Sequence, residues 1–172
     1  MADLNTILEK HKGVLELIDG KVCKTVSDTE KYINSVKDFV ENGRFICEFG
    51  TWNGDFNCNG LGLTSLEGSP KTVNGTFDCH KNSITSLVGG PKEVGKDYIC
   101  YKCKNLESLE GAPEKILRDF VAYENEKLTN LVGSPKTVER NFDVSDCGLT
   151  SLEGKPKSVG HQFITIGNKG LK

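Results

Sequence analysis

Long apolar runs are missing from this sequence. No uncharged apolar stretch approaches the roughly 20 residues needed to span a bilayer, and the opening MADLNTILEKHKG lacks the apolar core of a signal peptide. The expectation is a cytoplasmic protein with no membrane partner. Neither sign of charge dominates: 22 basic against 24 acidic residues leave a net charge of -2. That removes the bulk electrostatic case for a nucleic-acid partner. Histidine is confined to His11, His80 and His161, and no spacing among them forces a Ser-His-Asp or Cys-His arrangement. No G-x-x-x-x-G-K-[ST] loop or dinucleotide fingerprint follows a strand, so neither enzymatic activity nor a cofactor is expected.

Proline is also scarce, and its placement is the strongest signal in the chain. The five prolines, Pro70, Pro91, Pro113, Pro135 and Pro156, follow one another at intervals of 21, 22, 22 and 21 residues. A glycine precedes each by two: Gly68, Gly89, Gly111, Gly133 and Gly154. Other columns share the period. An aromatic column holds Phe56, Phe77, Tyr98, Phe120, Phe142 and Phe163, and two residues on come Cys58, Cys79, Cys100, Ala122, Val144 and Thr165. A leucine column holds Leu66, Leu87, Leu109, Leu131 and Leu152. The two longer intervals fit an extra residue between strand end and next leucine, in Cys103 to Leu106 and Asn125 to Leu128. A repeat of this size cannot bury a face alone and must stack on its neighbours.

The chemistry of each column follows from that stacking. Aromatic-x-Cys reads as a period-2 strand with alternate residues in the core, its copies about 4.8 Å apart in a parallel sheet. The position after the aromatic must be slim, hence Cys, Ala, Val or Thr. Leu61, Asn82, Cys103, Asn125, Cys147 and Asn168 form the next column, where an asparagine can bond backbone as the chain leaves the strand and a cysteine can do so weakly. Gly-x-Pro then turns the chain, and Val73, Val94, Ile116, Val138 and Val159 close the back, a side expected to need no continuous backbone ladder.

Phe77-x-Cys79-x-x-Asn82-x-Ile84-x-x-Leu87 resembles the leucine-rich repeat, L-x-L-x-x-N-x-L with a further leucine. The resemblance covers roughly residues 53–172, with aromatic-x-Cys where leucines are usual and a recurring Gly-x-Pro turn. In style it is similar to leucine-rich-repeat-like proteins of bacteriophage and bacterial genomes. It implies an α/β, leucine-rich-repeat-like solenoid with a parallel sheet on one face, and a protein-binding role. For a phage protein it further implies inhibition of a bacterial host or defence protein, in the host cytoplasm. The alternative is a structural or self-assembling module without enzymatic activity.

Residues 1–44 lack the repeat and read as a capping region ahead of a solenoid over 45–172. Leu4 to Leu8 suggests a short helix. Val14 to Ile18 and Lys21 to Val26, joined by Asp19-Gly20, suggest a β-hairpin. Ser27 with Glu30, then Ile33, Val36, Phe39 and Val40, predicts a helix stopping at Gly43 and laid over the first coil.

Three outward rows flank the buried strand residues. Asp55, Thr76, Asp97, Asp119, Asn141 and Gln162 form the first; Asn57, Asp78, Ile99, Val121, Asp143 and Ile164 the second; Asn59, His80, Tyr101, Tyr123, Ser145 and Ile166 the third. Ile99, Tyr101, Val121 and Tyr123 compose an apolar patch rimmed by Asp78, Asp97, Asp119 and Asp143, which suits a protein partner with a basic rim. The bland reading is neighbour packing within a sheet. Ile164 and Ile166 face the same way on the last strand, an edge that a second copy would cover in a homodimer unless the natural chain continues. Seven cysteines, an odd number, read as reduced thiols in a cytosolic protein. Cys100-x-x-Cys103 has the spacing of half a zinc site but no second pair, and the repeat accounts for both residues, so no metal is expected. The column Lys71, Lys92, Glu114, Lys136 and Lys157 reads as a solvated back face.

Overall fold

A computed structural model describes residues 3–27 and 35–171. They form a β-solenoid in which each coil contributes a two-residue front strand and most contribute a back strand. The front sheet has six parallel strands, Phe56–Asn57, Phe77–Asp78, Tyr98–Ile99, Phe120–Val121, Phe142–Asp143 and Phe163–Ile164, paired in register aromatic to aromatic. Inside it the rings lie one on the next, 5.1–5.8 Å apart between centroids from Phe56 to Phe142. Beneath them Cys58, Cys79, Cys100, Ala122 and Val144 are fully buried. One core runs unbroken from Ile7 to Leu149.

As the chain leaves the front strand it must satisfy the carbonyls that the ladder releases. Asn82, Asn125 and Asn168 do this across coil boundaries. Asn82 donates to Cys58 O and Cys79 O, each at 2.9 Å, and accepts from Leu63 N. Asn125 donates to Cys100 O and Ala122 O and accepts from Cys103 N. Asn168 repeats the pattern with Val144 O, Thr165 O and Leu149 N. The coil pairs the asparagines skip are joined by thiols, Cys103 Sγ donating to Cys79 O and Cys147 Sγ to Ala122 O. Asparagine and cysteine alternate because each asparagine already serves two coils. The extra residue of the longer coils is absorbed as a tight turn, Leu106 N to Cys103 O and Leu128 N to Asn125 O.

The return side differs from the leucine-rich-repeat expectation. Among the described residues the only α-helix is α1, Leu4–Lys10, so the α/β assignment gives way to an almost wholly β solenoid. After Gly-x-Pro only a few residues remain before the next aromatic, and a β-branched residue among them favours an extended segment. The back also has a ladder, contrary to expectation: Thr72–Val73 pairs with Glu93–Val94, and Lys115–Ile116 with Thr137–Val138 and then Ser158–Val159. The buried prolines stand just ahead of it, where no N–H is demanded. Among the described residues this back pairing lapses between Glu93–Val94 and Lys115–Ile116, where a groove opens beside Val94, Ala112 and half-exposed Leu117.

At the amino end, β1 (Leu15–Ile18) and β2 (Lys21–Lys24) form the expected hairpin over Asp19-Gly20, both with positive φ. β2 pairs in parallel with β5 (Phe49–Trp52) and so extends the back sheet. The predicted helix running to Gly43 is corrected. Residues 28–34, with Glu30 and Ile33, lie outside the described residues. Beyond them Lys37–Phe39 makes one 3-10 turn, and β3 (Val40–Glu41) folds back on β4 (Arg44–Phe45). Asn42 (φ 50°) and Gly43 (φ 73°) supply the two left-handed positions of a two-residue hairpin turn, which outweighs the helical spacing of Val36, Phe39 and Val40. A Cβ on Gly43 would stand 2.8 Å from Gly62 O. Phe39, Phe45, Phe49, Trp52 and Phe56 meet edge to face and plug this end. Lys24 is buried with them, its Nζ donating to Asn53 O at 2.6 Å and Val26 O at 2.9 Å.

Two substitutions test these assignments by urea unfolding. Asn125→Ala orphans three backbone groups and is expected to cost about 3 kcal/mol, whereas Asn125→Cys, matching positions 103 and 147, should cost clearly less. Equal losses would mean the cross-coil bonds contribute little. Tyr98 is the one tyrosine in the inner ring column and its hydroxyl, wholly buried, has no hydrogen-bond partner among the described residues. Tyr98→Phe should therefore stabilise the protein by about 1 kcal/mol.

Candidate interaction face

The front sheet presents its outward rows as one flat surface. In the third row the rings stack like those inside: His80 on Tyr101 at 4.2 Å and 12°, Tyr101 on Tyr123 at 4.5 Å and 8°. The strand spacing near 4.8 Å imposes this, since rings on adjacent in-register strands can lie flat on one another. Ile99 and Val121 pair side by side in the middle row, and all four members of the apolar patch are partly exposed. The structure therefore brings Ile99, Tyr101, Val121 and Tyr123 together as one surface, extended by His80.

The four aspartates have distinct surroundings. Asp97 and Asp119 accept backbone N–H bonds from the next coil, Asp119 N to Asp97 Oδ1 at 3.1 Å and Asn141 N to Asp119 Oδ1 at 2.9 Å. Asp55 and Asn141 do the same for Thr76 N and Gln162 N. Arg118 and Arg140 lie 3.6 and 4.0 Å from Asp97 and Asp119. These two carboxylates thus form part of a coil-to-coil ladder with their charge partly offset. Asp78 Oδ1 lies 2.6 Å from His80 Nδ1, and its Oδ2 accepts from Asn59. Asp143 Oδ1 accepts from Ser145 N and Ser145 Oγ, while among the described residues nothing bonds its Oδ2.

Sequence reasoning missed a groove beside this face. The residues just after the third row, Lys81, Lys102, Glu124 and Asp146, all adopt positive φ of 51–56°. With Lys104 and Glu126 they line an open groove that is basic over the earlier coils and acidic over the later ones, Lys102 and Glu124 pairing at 3.2 Å where the signs meet. The signal was present as Lys, Lys, Glu, Asp in one column, but the column's left-handed geometry is not visible in residue types that rarely adopt it. Also missed were the exposed turn residues Val88 and Val132.

At the far end of the face Ile164 is partly exposed and Ile166 is 77 % exposed. Phe163 is 36 % exposed, where its column mates from Phe56 to Phe142 are fully buried. On the back, Lys71 and Lys92 donate to Gly89 O and Gly111 O, and Lys136 pairs with Glu114, which holds that carboxyl below its usual range.

All seven cysteines are free thiols. Burial pushes Cys58, Cys79 and Cys100 well above the ordinary thiol value, Cys103 and Cys147 to about 11, and Cys47 to about 12. Among the described residues no three His, Cys, Asp or Glu side chains are grouped to hold a metal ion, and no helix is long and apolar enough to cross a membrane. Comparison with protein-family models, with curated proteins and with solved structures finds no match.

The thiols give a test with a defined sign. Their folded pKa values lie above the unfolded value of 9.0, so the native state holds more protons as pH rises. Their contribution to stability is full below about pH 9 and declines above it. Tm should accordingly be level through neutral pH and fall in alkali, less steeply in Cys79→Ala, and a thiol reagent at pH 8 should label Cys58, Cys79 and Cys100 only after unfolding. Rapid labelling of Cys100 in the folded protein would contradict the burial.

Proposed function

We propose that this β-solenoid is a protein-binding module of leucine-rich-repeat-like type, which acts by covering a surface of another protein. The observation that carries this reading is the continuous outward stack His80–Tyr101–Tyr123 beside Ile99 and Val121 on the front sheet. Structural duty is already met by the inner ring column, so a second, outward aromatic row is surplus to folding. Tyrosine and apolar anchors on a flat face, bordered by carboxylates, suit association with a protein bearing a basic rim. A flat sheet without an enclosed pocket is a poor frame for acid–base catalysis.

The likeness in repeat style to phage and bacterial proteins extends the proposal. The partner is a bacterial host or defence protein, and inhibition follows from occlusion in the cytoplasm. Recovery of a partner from bacterial lysate should fall at least tenfold with the Tyr101→Ala/Tyr123→Ala double variant, its fold checked by circular dichroism. Undiminished recovery with a folded variant would sink the reading.

Exposure of Phe163 and Ile166 at the sheet edge favours a second reading, self-association into a homodimer. Sedimentation should then show a dimer that Ile166→Lys converts to monomer. A monomer at every concentration removes it.

A further inference from the structure

The outward ring stack ends abruptly, and what ends it is a vacancy. His80, Tyr101 and Tyr123 occupy one row on three consecutive coils, and the next coil places Ser145 there. Tyr101 covers one face of the Tyr123 ring. The other face looks across Ser145, whose hydroxyl is turned down to Asp143 Oδ1 at 2.7 Å. One coil further, at the edge of the sheet, stands Ile166, 77 % exposed. Tyr123 and Ile166 are two strand spacings apart, roughly 9.6 Å, which leaves room for one flat group between them.

The polar lining of this slot selects the occupant. Asp143 stands at its base with Oδ2 unbonded and no cation beside it among the described residues, whereas Asp78 faces His80, and Asp97 and Asp119 face Arg118 and Arg140. The adjoining groove is acidic at these coils, with Glu126 and Asp146 exposed. A neutral aromatic ring would fill the space but leave the carboxylate unanswered. An ammonium group would answer the carboxylate without using the ring face. A guanidinium does both, since it is planar, stacks within about 6 Å of an aromatic centroid, and presents paired donors to a carboxylate.

We propose that the slot between Tyr123 and Ile166, over Ser145 and against Asp143, receives an arginine side chain of the protein partner. The inference rests on the protein-binding reading and names the chemistry of its anchor. The bound guanidinium becomes the fourth member of the outward stack.

The test uses the whole protein labelled with ¹⁵N and titrated with blocked Gly-Arg-Gly and Gly-Lys-Gly peptides. Saturable shifts of the Tyr123, Ser145 and Ile166 amides are expected with the arginine peptide, the lysine peptide binding about fivefold more weakly. Asp143→Asn should weaken arginine binding by about tenfold while still accepting the Ser145 bonds. Ser145→Tyr should abolish it, in a row that already tolerates tyrosine twice. No saturable shift, equal affinity for lysine, or indifference to both substitutions overturns the proposal. The two readings fail separately. If partner recovery is lost with the Tyr101/Tyr123 double variant but unaffected by Ser145→Tyr, the slot falls and the binding face stands. If partner recovery ignores Tyr101→Ala, which leaves the Tyr123 wall in place, but falls with Ser145→Tyr, the slot stands and the wider face falls.

Discussion

Parallel, in-register pairing of the front strands is the constraint from which the rest of the structure follows. It sets one separation, about 4.8 Å, between every residue and its equivalent on the next coil. Aromatic rings pack at nearly that separation, so Phe56, Phe77, Tyr98, Phe120 and Phe142 follow one another in a column, near parallel at Phe56/Phe77 and Phe120/Phe142 and tilted by 46° at Phe77/Tyr98. The same separation leaves no room for bulk beneath the rings, and cysteine, alanine and valine stand there. It also puts strand-end carbonyls of adjacent coils within reach of one carboxamide, which is why Asn82, Asn125 and Asn168 serve two coils each and cysteine suffices between them. The outer side obeys the same spacing, with His80, Tyr101 and Tyr123 stacked at 4.2–4.5 Å, closer than the rings inside.

Columns were legible in the sequence because they repeat: a residue type recurring every 21 or 22 positions states its environment several times over. The front strands, the turn glycines, the site of the extra residue and the Asn/Cys column could all be read that way. The amino-terminal region states everything once. There Val36, Phe39 and Val40 fit a helical stripe, yet Asn42-Gly43 fits a two-residue hairpin turn, and periodicity alone could not rank the two. The structure ranks them through the backbone: two successive positive φ values end a helix and begin a hairpin. Lys24 was illegible for a different reason. Its acceptors, Val26 O and Asn53 O, converge only when β2 joins the first coil, and no local pattern marks a lysine for burial.

Charge on the face was legible as a count and illegible as chemistry. Four aspartates near an apolar patch read alike in sequence. In the fold, Asp97 and Asp119 receive backbone N–H groups from the next coil and stand near arginines, while Asp78 is held by His80 and Asn59. Asp143, like Asp119, keeps Oδ2 unbonded among the described residues, but unlike the other three it has no cationic or imidazole side chain paired with it there. A carboxylate already serving a sheet edge offers a partner less than one with an open lone pair, because binding it again must first loosen an existing bond.

Repetition and recognition make opposite demands on such a molecule. Stacking rewards coils that are alike, and a face of identical coils would offer the same contact at every step, with nothing to fix the register of a bound protein. Specificity has to enter where a column departs from its own rule without disturbing the backbone beneath. The third-row positions permit this, since the first-row bonds between coils, the inner rings and the asparagines do not depend on what projects into solvent there. The third row departs most sharply between Tyr123 and Ser145, two positions whose front strands are paired as regularly as any in the sheet. That break in an otherwise continuous ring stack gives the surface a single distinguishable step, and the unbonded oxygen of Asp143 lies beside it. A partner able to seat one flat cationic group there would be aligned along the whole solenoid by one contact, while the stacked rings on the preceding coils supply the area.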